Sequence, residues 1–199
     1  MMETFWFYFK EGLFHVLDWD AYDHILFLIV LTVPYLFANW KKLLTLVTVF
    51  TLGHTLSLAL SAYGVIKVNS SLVEILIPIT ILITALYNIF TAGKKSRNTK
   101  MGIYVFSALF FGLIHGLGFS TYFKMMTASS ESKLLPLIEY TLGIEAAQII
   151  IVFAVLIISF VGQAIFRFSQ RDWVMVISAI VIGVAIPVFK NALSTIAIF

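Results

Sequence analysis

The chain has 199 residues, of which 61% are hydrophobic and 12% charged, and 13 Lys and Arg against 10 Asp and Glu give a net charge of +3. A soluble domain carries roughly 45 to 50% apolar and about 25% charged residues, so this composition is typical of a membrane protein and excludes a disordered chain, a collagen and a nucleic-acid-binding domain. The absence of cysteine excludes disulfides, thiolate metal sites and palmitoylation.

The chain begins with an aromatic-rich segment, residues 5–17, which Lys10 and Glu11 interrupt. Two adjacent charges within an otherwise apolar stretch predict an amphipathic helix that lies in the membrane interface. No basic region and cleavage site of a signal peptide precede it. We therefore treat residues 1–22 as an N-terminal interfacial segment and residues 23–199 as a transmembrane domain.

Six apolar stretches follow, and crossing about 30 Å of hydrocarbon takes roughly 20 helical residues. They cover residues 23–38, 43–63, 72–92, 101–119, 137–166 and 173 to about 189. The sequence therefore predicts an all-α fold: a polytopic membrane bundle of about six transmembrane helices plus the N-terminal interfacial helix. The first span is short and contains Pro34, and Pro187 leaves open whether the last helix continues towards the end of the chain.

The cations predict the direction of the bundle. Eight of the 13 Lys and Arg residues lie in the first, third and fifth loops between spans. The positive-inside rule therefore puts these loops in the cytoplasm and both termini outside. On this topology nine of the 10 acids lie on the outer side or in the outer halves of the helices, and an acid-rich outer face would attract cations. We expect a multi-pass protein of the cytoplasmic membrane that contacts lipid and no nucleic acid; a homo-oligomer is open.

Several ionisable residues fall inside the predicted spans, where each costs several kcal/mol unless it has a partner. Asp23 and His24 open the first span, His54 and His115 lie in the second and fourth, and Glu145 lies in the fifth. On the predicted topology all five belong to the outer half of the membrane. A single histidine could bond a backbone carbonyl, and a lone glutamate could reach the interface, but their common depth favours one shared site.

Imidazoles and carboxylates without thiolates suit Zn²⁺, Ni²⁺, Cu²⁺ or Co²⁺, whereas Ca²⁺ and Mg²⁺ prefer oxygen ligands. We therefore predict that these five residues bind a divalent transition metal whose identity is open, with His15 as a further candidate ligand. Thr51 and Gln148 each lie three residues from a predicted ligand, on the same helix face, and are candidates for substrate binding. Glycines beside the second- and fourth-span histidines would let those helices approach closely.

The same residues stand in four ordered motifs that resemble the HupE/UreJ family of small integral membrane proteins. The motifs are DHILFL at 23–28, FTLGHTLSL at 50–58, FGLIHGLGF at 111–119 and LGIEAAQ at 142–148. The resemblance implies an inner-membrane permease for nickel or a related divalent metal that serves hydrogenase and urease maturation. Phe111 and Gly118 stand where the hydrogenase-associated branch carries a histidine and a glutamate, so the chain resembles a distant branch.

Three functions remain open from the sequence. The favoured one is a metal permease rather than an enzyme, although the inner half of the bundle holds few polar side chains beyond Thr80, Thr84, Tyr87 and Asn88. The second is a metal-dependent, for example zinc-dependent, intramembrane hydrolase of a lipid, acyl or peptide substrate, with the carboxylate of the first or fifth span, Asp23 or Glu145, as base. The third is a structural or sensing subunit whose metal joins helices.

Overall fold

The computed structural model describes residues 2–18, 22–67, 69–93, 101–128, 130 and 132–197. Within these residues the fold is all-helical and has no strand, which confirms the predicted fold class. The α-helices are α1 (Met2–Leu17), α2 (Asp23–Thr32), α3 (Trp40–Ala62), α4 (Ser70–Thr91), α5 (Met101–Met126), α6 (Leu134–Ala164) and α7 (Gln170–Ala197), with a short 3-10 helix, Phe37–Asn39, before α3. The cationic loop 94–100 lies outside the described residues.

Five helices of the described part, α3 to α7, contain segments long and apolar enough to cross a membrane, as expected of a membrane protein. The last of them continues through Pro187, which answers the question left open at that end. The first predicted span differs, because α2 has only 10 residues. Ten residues extend about 15 Å, half of the hydrocarbon thickness. The number of crossings and the side of the termini stay predictions.

The early end of α2 follows from Pro34. Proline has no N–H, so the carbonyl of Val30, four residues before it, has no partner in its own helix. The side chain of Asn88 in α4 supplies one, because its Nδ2 donates to that carbonyl at 2.7 Å. The carbonyl of Pro34 in turn accepts a hydrogen bond of 2.9 Å from Gln170 at the start of α7. The end of α2 is thus held by two long helices.

Close glycine contacts join α3 to α5. A Cβ at Gly112 would overlap the carbonyl oxygen of Phe50, and a Cβ at Gly116 would overlap that of His54. Without side chains at these positions the two backbones touch, which is how small residues promote packing between membrane helices. Gly112 contacts α3 at Phe50, and Gly116 contacts it four residues later at His54. The two helices therefore run parallel, and this brings their histidines to the same depth.

The N-terminal helix α1 packs closely along α6. A Cβ at Gly12 would overlap the carbonyl oxygen of Tyr140, and a Cβ at Gly143 would overlap that of Phe9. The side of α1 that carries Val16 is accordingly buried. The contact fixes α1 to the bundle, while the interfacial placement of residues 1–22 stays a prediction.

Candidate metal centre

All four histidines of the chain meet in the interior, although they come from four helices. The ring centroids of His15 in α1 and His24 in α2 lie 4.7 Å apart, and His54 in α3 lies 6.0 and 5.9 Å from them. His115 in α5 completes the cluster at 5.0 Å from His24. His24, His54 and His115 are at most 3% exposed. The convergence that the sequence predicts is therefore present for the imidazoles.

The spacing of the ring nitrogens suits a metal ion. His15, His24 and His54 each offer one nitrogen, and these atoms lie within 4.8 Å of one another. Tetrahedral zinc with Zn–N bonds of about 2.0 to 2.1 Å holds its nitrogens roughly 3.4 Å apart. Shifts of about 1 Å would therefore convert the cluster into a coordination sphere. His115 is not in this group of three, although its ring centroid lies 5.0 Å from that of His24.

The cluster concentrates buried nitrogens that have no hydrogen-bond partner among the described residues. They are Nε2 of His15, His24 and His115 and both ring nitrogens of His54. A buried polar atom without a partner typically costs about 1 to 3 kcal/mol, so native structures rarely keep several together. A cation bound between these imidazoles would take one nitrogen lone pair from each ring.

Hydrogen bonds at the other ring nitrogens direct two of these imidazoles. Asp23 Oδ1 lies 3.1 Å from His24 Nδ1 and also accepts from the backbone N–H of His24 at 2.8 Å. His115 Nδ1 donates to the carbonyl of Phe111 at 2.9 Å. Both arrangements leave the Nε2 lone pair for a metal, and a carboxylate behind a ligating histidine is a common way to hold its ring and tautomer.

Aromatic rings enclose the imidazoles on two sides. The ring centroid of Phe119 lies 3.9 Å from that of His15, and Tyr140 stacks on Phe119 at 5.2 Å. On the other side the centroid of Phe50 lies 5.3 Å from that of His115. Such walls exclude water, so a cation that enters must exchange its hydration shell for the imidazoles.

The predicted ligand Glu145 lies elsewhere in the structure. Its Oε1 accepts a hydrogen bond of 2.6 Å from the hydroxyl of Thr48. Thr48 precedes His54 by six residues along α3, which corresponds to about 9 Å along the helix axis. Among the described residues, neither Glu145 nor Asp23 belongs to the group of close ligand atoms. Asp23 adjoins the cluster through its bond to His24.

Thr51 and Gln148, the predicted substrate-binding pair, join α3 to α6 one turn from His54. The Thr51 hydroxyl donates to Gln148 Oε1 at 2.7 Å, and both residues are buried. Gln148 Nε2 is buried without a partner among the described residues. The pair lies next to the cluster rather than inside it, and its role in binding substrate stays a prediction.

Comparison with known families agrees with the motifs. A family model described as HupE / UreJ protein matches residues 1–192 of the chain. The chain belongs to the HupE/UreJ family. The match covers all four histidines and the helices that carry them, and it confirms the resemblance inferred from the four motifs. Comparison with curated proteins and with solved structures gives no match.

Three residues of this HupE/UreJ protein that lie at the site were not predicted from the sequence as functional candidates. Phe27, Phe50 and Phe111 lie next to the histidines, where hydropathy marks them only as core residues. The signal that could have found them is their spacing, because each stands three or four residues from a histidine on the same helix and therefore on the same face.

Proposed function

We propose that this HupE/UreJ protein is a permease for a divalent transition metal and that the histidine cluster is the site at which the metal, as cargo, is bound. One observation carries the proposal: four helices bring buried imidazole nitrogens without a hydrogen-bond partner among the described residues into one cluster, and nitrogens of three of these histidines lie within 4.8 Å of one another. Neutral imidazole is a good ligand for Zn²⁺, Ni²⁺, Cu²⁺ and Co²⁺. Family membership supports transport as the purpose of such a site.

The proposed ligands are Nε2 of His15, His24 and His115 with a ring nitrogen of His54. Asp23 acts behind His24: its carboxylate fixes the ring and makes the imidazole a stronger electron donor. This differs from the set expected from the sequence, in which Asp23 and Glu145 coordinate the metal directly. The bond between Glu145 and Thr48 is the reason for leaving Glu145 out.

The positions of the carboxylates weigh against the hydrolase. A metal-dependent hydrolase needs a base within hydrogen-bond reach of the metal-bound water. Glu145 is engaged by Thr48, and Asp23 already accepts two hydrogen bonds from His24. A structural metal would bind to the same imidazoles as a transported metal. Only a transport measurement therefore distinguishes a structural subunit from a permease.

The decisive experiment is uptake into proteoliposomes. Wild-type protein, His54→Leu and Glu145→Gln are reconstituted at equal density, and entry of Ni²⁺, Co²⁺ and Zn²⁺ is followed with an internal fluorescent chelator. We expect uptake of at least one ion by the wild type and by Glu145→Gln, which removes a membrane-depth carboxylate outside the cluster, and none by His54→Leu. Stoichiometric metal binding without uptake by the wild type would refute transport and leave the structural function.

A further inference from the structure

A cavity of about 130 Å³ lies between α2, α4 and α5. Its wall includes Val30 of α2 and Pro34 just after that helix, Thr84 and Asn88 of α4, and Ser107 of α5. All of them lie towards the ends of these helices that adjoin the cation-rich loops. On the positive-inside rule this is the cytoplasmic end of the bundle.

The cavity lies below the histidine cluster on the same helices. Val30 follows His24 by six residues, and Ser107 precedes His115 by eight. At a rise of about 1.5 Å per residue, these separations correspond to roughly 9 and 12 Å along the helix axes. The cavity therefore lies on the side of the histidine cluster that faces the cation-rich loops.

Three phenylalanines separate the cluster from the cavity. Each stands one helical turn to the cavity side of a histidine, in the pairs His24 with Phe27, His54 with Phe50, and His115 with Phe111. The centroid of Phe27 lies 5.0 Å from that of Phe50 and 5.2 Å from that of Phe111. Phe27 and Phe50 are completely buried, and Phe111 also lines the cavity. The three rings, which we name the phenylalanine layer, close the site on this side.

We propose that the cavity is the cytoplasmic vestibule that receives the divalent cation when it leaves the histidines, and that the phenylalanine layer is the barrier between the two; this rests on the proposed transport function. A ring of apolar side chains blocks hydrated ions because water leaves such a constriction. Displacement of the layer would connect the imidazoles directly to the cavity.

The chemistry of the cavity wall suits release of a cation. Thr84 donates its hydroxyl hydrogen to the carbonyl of Thr80 at 2.8 Å, so its oxygen keeps lone pairs for water or a cation. Asn88 donates a hydrogen bond from its Nδ2 to the backbone carbonyl of Val30, and its side-chain carbonyl remains an acceptor. Neutral oxygens bind transition metals more weakly than imidazoles do. At about 30 Å³ per molecule, the cavity holds roughly four waters, enough to begin rehydrating the ion.

The absence of native cysteine permits a direct test. Ser107→Cys is reacted from the cytoplasmic face with a small, positively charged methanethiosulfonate reagent. Ser178→Cys, at a serine of α7 that is completely buried, is the matched control. We expect the cavity thiol to react at least about tenfold faster, and its adduct to reduce metal uptake at least about tenfold, because it fills the pathway. Equilibrium binding of Ni²⁺ or Zn²⁺ should stay within about threefold, since the histidines are untouched.

Each alternative outcome has a distinct meaning. Uptake that persists after complete modification of Ser107→Cys would overturn the vestibule but leave the permease in place. If the thiol of Ser107→Cys reacts with a lipophilic maleimide but not with the charged reagent, the cavity is a lipid-filled crevice. This result would also overturn the vestibule. Absence of uptake by the unmodified wild type would refute the proposed function itself.

A second pair of variants tests the vestibule without labelling. Ala108→Leu fills the cavity from α5, and Ala154→Leu adds the same atoms at an exposed alanine of α6. We expect only Ala108→Leu to slow uptake, with metal binding retained. Equal uptake by the two variants would contradict the vestibule.

Discussion

Replacement of His54 by leucine should leave the metal-free protein at least as stable as the wild type. His54 is completely buried, and neither of its ring nitrogens has a hydrogen-bond partner among the described residues. Each such atom typically costs about 1 to 3 kcal/mol, whereas leucine has a similar volume and no polar atom to satisfy. For the two nitrogens together, the expected gain in unfolding free energy of the metal-free variant is therefore positive and at most about 6 kcal/mol.

The same substitution should remove stabilisation by metal. Structural zinc sites with four ligands are worth about 10 to 16 kcal/mol, so one ligand accounts for roughly 3 to 4 kcal/mol, or a 100- to 1000-fold change in Kd. At a metal concentration about 100 times the wild-type Kd, the wild type gains about 2.7 kcal/mol. His54→Leu, with a Kd at least about 100-fold higher, gains at most about 0.4 kcal/mol.

The assay is thermal unfolding of the detergent-purified proteins with and without Ni²⁺ or Zn²⁺. Glu145→Gln is the control, because it removes a carboxylate that contacts Thr48 and not the histidines. It should keep the shift in Tm caused by metal. A His54→Leu protein that unfolds well below the metal-free wild type, or that is stabilised by metal as strongly as the wild type, would refute the reasoning.

Three further predictions concern the surroundings of the site. Asp23→Asn should weaken metal binding about 10- to 100-fold in a titration without unfolding the protein, since it loosens the hold on a ligating imidazole; an unchanged Kd would argue against that role. Gly112→Ala should lower Tm, because its Cβ would overlap a carbonyl of α3, whereas Gly102→Ala, with open space around it, should not; equal effects would contradict the close helix contact. Asn88→Leu leaves the Val30 carbonyl without its partner and should cost about 1 to 3 kcal/mol in chemical unfolding; no loss would mean that water replaces the amide.

Much of the architecture follows from the sequence because lipid imposes a strong rule. A segment in hydrocarbon must satisfy its backbone internally, so long apolar stretches become helices, and α3 to α7 lie where hydropathy predicts them. The first span is the exception. Its apolar composition extends to residue 38, but Pro34 removes a donor and ends the helix at Thr32. Hydropathy measures composition and does not register the loss of one hydrogen bond.

The candidate site, too, could be predicted only in part from the sequence. His24, His54 and His115 could be brought together from topology alone, since alternating helix directions place them at one depth. The position of Glu145 could not be predicted in this way, because it depends on how far α6 is shifted along α3. Counting residues from the helix ends does not determine that shift. The bond to Thr48 fixes the shift. His15 joins the cluster because Gly12 lets α1 approach α6, a contact that sequence spacing does not reveal.

X-ray absorption spectroscopy of the purified protein loaded with Ni²⁺ or Zn²⁺ tests the central claim most directly. The account predicts a coordination sphere dominated by imidazole, with three to four nitrogens at about 2.0 to 2.1 Å, and its loss in His54→Leu. A sphere of oxygen ligands only, or a wild-type protein that retains no transition metal while its histidines are intact, would contradict the account.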